Sequence, residues 1–139
     1  MSVNLKEKCE SLLSTTTVAF NAAAQTTLYI VPVGKTCVLT KAIVVAGADA
    51  VDATISIGVA ATWDNWLGTN GFLGTDAVLD ELDAAGEYCV LSPPSDTAIV
   101  AASSVLTRYT ASEAIIVNVT NSGGGATNTI HLFGILANA

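Results

Sequence analysis

Twelve Asp and Glu residues, one histidine and three cysteines are the side chains of this 139-residue chain best equipped for chemistry, and their spacing limits what they can do. His131 lies in Thr129-Ile130-His131-Leu132-Phe133, where the two-residue period of a strand puts it with Thr129 and Phe133 and opposite Ile130 and Leu132. A surface or interface histidine is expected there. Nucleophilic catalysis needs a nucleophile, a base and a group that orients the base, and no motif supplies that set. The acidic group Asp76, Asp80, Glu81, Asp83 and Glu87 offers the oxygen ligands that Ca²⁺ takes. It lacks the Asp/Asn alternation and closing Glu of a calcium loop and reads as a solvated turn region. Cys9, Cys37 and Cys89 are odd in number and widely spaced, unlike a disulfide framework or paired zinc ligands; two of them sit in strand-like runs as small buried hydrophobes. Gly123-Gly124-Gly125 opens no helix and has no Lys-Ser/Thr partner, so it is a hairpin tip and not a phosphate cradle. No catalytic residue, metal or cofactor is expected.

The binding hint is aromatic. Trp63, Trp66 and Phe72 crowd into ten residues, with Asp64, Asn65 and Asn70 between them, a composition suited to stacking on sugar rings and hydrogen bonding to their hydroxyls. Core or subunit-interface packing is the competing use of the same residues.

These side chains must be positioned by strands. Ile55, Ile57 and Val59 alternate with Thr54, Ser56 and Gly58, and Ile115, Val117 and Val119 alternate with Ile116, Asn118 and Thr120, the period of half-buried strands. Strands are expected at 16–21, 26–31, 36–46, 53–60, 86–92, 97–109, 113–120 and 127–136. Val31-Pro32-Val33-Gly34 predicts a type I turn joining the second and third as a hairpin, and 121–125 a second, looser hairpin. Residues 4–13 predict a short helix whose stripe is Leu5, Cys9, Leu12 and Leu13. The expectation is an all-β chain: a single jelly-roll-like antiparallel β-sandwich over 16–139 with a short helical or extended N-terminal arm over 1–15.

Hydrophobic residues are 51% of the chain and charged residues 12%, about half the usual charged share, so part of the apolar surface is expected to face a partner. A net charge of −7 and a pI near 4.2 exclude phosphate-backbone binding as the main role, since that needs clustered Lys and Arg. The apolar runs are broken well before the roughly 20 residues of a membrane span, and the first residues lack a secretory signal's apolar stretch. Synthesis in the cytoplasm, with no nucleic-acid or membrane partner, is the expectation.

Thr26-Thr27-Leu28-Tyr29-Ile30-Val31-Pro32-Val33-Gly34-Lys35-Thr36 with Val38–Val45 resembles the opening of small β-sandwich virion proteins of tailed bacteriophages, and Gly125–Leu136 resembles their C-terminal strand. The resemblance implies a non-enzymatic capsid decoration or cement protein on the capsid exterior. It further implies a homotrimer whose partner is the major capsid protein, with the arm bearing Leu5, Cys9, Leu12 and Leu13 gripping the shell or a neighbour. The alternative it allows is a head-fibre, spike or tail component that binds host-surface glycans through Trp63, Trp66 and Phe72.

Overall fold

The computed structural model describes residues 9–47, 53–59, 62–67, 77–78, 82, 84–91, 108–125 and 127–139, with the backbone alone at 62–67, 77–78 and 120–121. The described residues form ten strands: β1 Ser11–Val18, β2 Gln25–Ile30, β3 Lys35–Val45, β4 Thr54–Val59, β5 Thr62–Leu67, β6 Ala77–Val78, β7 Tyr88–Leu91, β8 Arg108–Tyr109, β9 Ala114–Asn121 and β10 Asn128–Asn138. They form two antiparallel sheets. The first has the order β1-β10-β3-β7, with β8 also on β3; the second has the order β2-β9-β4-β5, with β6 also on β4. The fold is an all-β sandwich, and among the described residues no helix is long and apolar enough to cross a membrane.

The inward residues of both sheets close one core, which includes Val18, Phe20, Leu39, Ile55, Ile57, Tyr109, Ile115, Ile130 and Leu132. Alternation is cleanest in β10, where Asn128, Ile130, Leu132, Gly134 and Leu136 are buried and the residues between them are partly exposed. Gly134 takes an inward position because no side chain fits: a Cβ there would lie 2.5 Å from the Val38 carbonyl oxygen and 2.8 Å from Leu13 Cδ1. The register of β10 slips beside this residue on both flanks, between Leu12 and Ser14 on β1 and between Phe133 and Gly134 against β3. Such bulges bend a sheet locally.

Asn128 is fully buried at the start of β10. Its Oδ1 accepts from the Gly47 amide at 3.1 Å, and its Nδ2 donates to the carbonyls of Gly125 at 2.8 Å and Val18 at 3.4 Å. One carboxamide thus ties the ends of β1 and β3 to the loop before β10.

Several expectations are corrected. The predicted helix is replaced, in its described part, by strand: Ser11–Leu13 belong to β1, which pairs with β10. An isolated helix of this length is marginal, whereas the β-branched run Thr15-Thr16-Thr17 favours extended backbone and β10 offers it a ladder. Leu12 and Leu13 consequently face opposite ways, Leu12 outward and Leu13 into the core. The predicted hairpin of β2 and β3 does not form, because β2 pairs with β9 in one sheet and β3 with β10 in the other. The intervening turn is Pro32–Lys35, closed by the Lys35 amide on the Pro32 carbonyl, with Gly34 at φ 79° in its third position; a positive φ there is type II geometry. The 121–125 segment likewise crosses between sheets. It is fixed to Phe20 by two backbone hydrogen bonds, Gly123 N to Phe20 O and Phe20 N to Gly125 O. The predicted strand over 97–109 is described only at Arg108–Tyr109.

Candidate functional site: the open face of the first sheet

The two sheets treat their outer faces differently. In the second sheet the consecutive residues Ile55, Ser56, Ile57 and Gly58 of β4 are all buried, as are Ile115, Ile116 and Val117 of β9. Both faces of those strands are covered, so they are not half-buried as their alternation predicts; burial on both sides suits the continuous run Ile115-Ile116-Val117. The first sheet keeps its alternation, and its outer positions reach solvent.

Register sets those positions side by side, because directly paired residues share a face. One row is Thr17, Thr129, Val45 and Tyr88; the next is Thr15, His131, Ile43 and Val90. A third holds Leu12, Phe133 and Lys41, and a fourth Ile135, Val38 and Arg108. Eight apolar or aromatic side chains therefore share one face: Leu12, Val38, Ile43, Val45, Tyr88, Val90, Phe133 and Ile135. Tyr88 is 67% exposed, Val90 50% and Leu12 45%. A contiguous patch of this kind marks an interaction surface.

Two polar contacts are made on the face. His131 Nδ1 and the Thr15 hydroxyl are hydrogen-bonded at 2.9 Å, which ties the imidazole to its neighbour on β1. Lys41 Nζ lies 4.8 Å from the centre of the Phe133 ring and 3.0 Å from Glu10 Oε1. The Lys41 ammonium, and secondarily the Thr40 hydroxyl, hold the Glu10 carboxyl below its ordinary range. Both partners are well solvated, so the pair orients more than it stabilises.

Several titratable side chains away from this face are buried or serve turns. Cys37 is buried, and burial pushes its thiol up to about 11, which makes it a poor nucleophile. Burial likewise drives the Tyr109 phenol far above its usual range, with the Glu113 carboxylate adding to the effect. Glu113 and Glu87 serve turns: Glu113 Oε2 accepts from the Thr110 amide at 2.8 Å and Glu87 Oε2 from the Ala84 amide at 3.1 Å. Among the described residues no cluster of His, Cys, Asp and Glu is able to hold a metal ion.

The remaining sequence candidates are scattered. Leu5, Phe72, Asp76, Asp80, Glu81 and Asp83 lie outside the described residues. Cys9 is exposed, Leu12 joins the open face, and Leu13 is core, so Leu12 and Leu13 do not form one contact stripe. Trp63 and Trp66 both lie on β5, which pairs with β4. Sequence reasoning missed Ile43, Val45, Tyr88 and Val90 as neighbours of His131. Their juxtaposition comes from pairing across 40 to 90 residues, of which no local motif carries a trace.

No protein-family model matches the chain, and no curated protein matches it. Among solved structures it is similar to a chain of the "Cyanophage Pam1 capsid asymmetric unit", at 12% identity and a TM-score of 0.48, over 91% of this chain and 84% of that one.

Proposed function

We propose that this chain is a non-enzymatic virion structural protein of a tailed bacteriophage, a capsid decoration or cement protein that attaches to the outer shell through the open face of its first sheet. The observation that carries the reading is that face. A chain with 12% charged residues buries both faces of β4 and of the middle of β9 and leaves eight apolar side chains on the outer face of the first sheet. The resemblance of residues 26–45 and 125–136 to small phage virion sandwiches supports the virion setting. A homotrimer fits the role, since three such faces bridging several shell subunits would hold at high effective concentration even if each contact were weak.

The test is cosedimentation with undecorated heads of the phage that encodes the chain, beside the mass in solution by light scattering. Saturable binding by a trimer, with heads made more resistant to heat, is expected. Tyr88→Asp combined with Val90→Asp should leave the fold intact, since both side chains are half or more exposed, and should abolish binding. Undiminished binding by that double variant would overturn the assignment of the face. The glycan-binding alternative rests on β5, which carries both tryptophans and pairs with β4 on one side only among the described residues. It expects signals on a glycan array that disappear in Trp66→Ala.

A further inference from the structure

The strands of the first sheet carry the positive charges of this chain that lie in strands. The five strands of the first sheet, β1, β3, β7, β8 and β10, contain no Asp or Glu, although the chain has twelve. They contain Lys35, Lys41 and Arg108, three of the chain's five Lys and Arg, and its single histidine. The strands of the second sheet contain no Lys or Arg and include Asp64. The open face of a protein of net charge −7 thus presents Arg108 and a Lys41–Glu10 pair beside its apolar rows.

Position strengthens the point. Arg108 is exposed and paired in register with Val38, which is itself paired with Ile135, so the guanidinium borders the apolar rows. Lys41 stands over Phe133 at the same end of the face. Lys35, at the end of β3, donates from Nζ to Asn138 Oδ1 at 2.8 Å. Glu10 meets this face and is bound to Lys41.

We infer that the partner surface of this face is acidic: an apolar centre bordered by carboxylates, one of which receives Arg108. This rests on the proposed attachment role and specifies its chemistry. Complementary charge at the border of an interface speeds encounter and selects the partner more than it adds affinity.

Binding of the whole protein to undecorated heads, measured at about 0.05 and about 0.5 M NaCl, tests this because surface charge pairs are screened over that range. Wild-type affinity is expected to fall roughly tenfold or more with salt. Arg108→Glu should weaken binding by a similar factor at low salt and flatten the salt dependence, whereas Tyr88→Ala should weaken it at both concentrations alike. Binding that ignores salt and Arg108→Glu would overturn the acidic partner while leaving the attachment role standing. Failure of the wild-type chain to bind heads at either salt would remove both. Loss of the oligomer instead of head binding in Arg108→Glu would assign the face to a second copy and overturn the inference.

Discussion

Replacing Asn128 with alanine should cost this fold more than any change to its open face. The carboxamide is fully buried and makes three hydrogen bonds, to the Gly47 amide, the Gly125 carbonyl and the Val18 carbonyl. Two are of good length, and each such bond contributes about 1 kcal/mol net. The third, at 3.4 Å, adds little. Truncation also leaves the half-buried Gly47 amide without its acceptor, and a buried donor so orphaned costs about 1–3 kcal/mol. Partial entry of water offsets some of that, giving a total of roughly 2–4 kcal/mol. For a domain of this size, unfolding entropy near 2.1 cal/mol/K per residue converts about 3 kcal/mol into a melting point lowered by about 10 °C. Urea unfolding followed by circular dichroism, at one protein concentration because assembly shifts apparent stability, measures it directly. Asn138→Ala is the control: that exposed residue meets Lys35, and its loss should fall within about 0.5 kcal/mol. A loss below about 1 kcal/mol in Asn128→Ala would refute the clasp.

Gly134→Ala should destabilise by about 1–3 kcal/mol through overpacking, since the new methyl would meet the Val38 carbonyl at 2.5 Å; urea midpoints unchanged from wild type would show that the bulges absorb it. Alkaline pH should also weaken the fold. Cys37 and Tyr109 are held neutral by burial, Cys37 up to about 11, so their contribution is complete below the unfolded values of about 8.5 and 10. Above those values the unfolded chain releases protons that the folded one retains. Stability then falls by about 1.4 kcal/mol per pH unit per group, until pH passes the folded values. Denaturant titrations between pH 8 and 11 check the slope; Tyr109→Phe should reduce it above pH 10, and an unchanged slope in that variant would contradict the account.

The residues by themselves determined most of the strands, though β5 and β6 lie outside every run that alternation predicts. Alternation in 128–136 and 36–45, and turn residues such as Gly34, encode local backbone preference, which acts over a few positions and is therefore visible in a few positions. The same local information placed His131 on an outward face opposite Ile130 and Leu132. It misread 11–13, because Leu5, Cys9, Leu12 and Leu13 fit a helical period while the neighbouring β10 ladder offered more than a ten-residue helix could. Tertiary structure alone decided the pairing. Pro32–Lys35 reads as a hairpin turn until β9 and β10 compete for the strands on either side, and they win in separate sheets. It also decided which face stays open. Ser56 and Gly58 look solvent-facing in sequence and are buried, whereas Tyr88 and Val90, over 40 residues from Ile43 and Val45, complete the exposed rows around His131. Contacts of that range depend on where whole strands lie, and no short stretch of sequence holds that information.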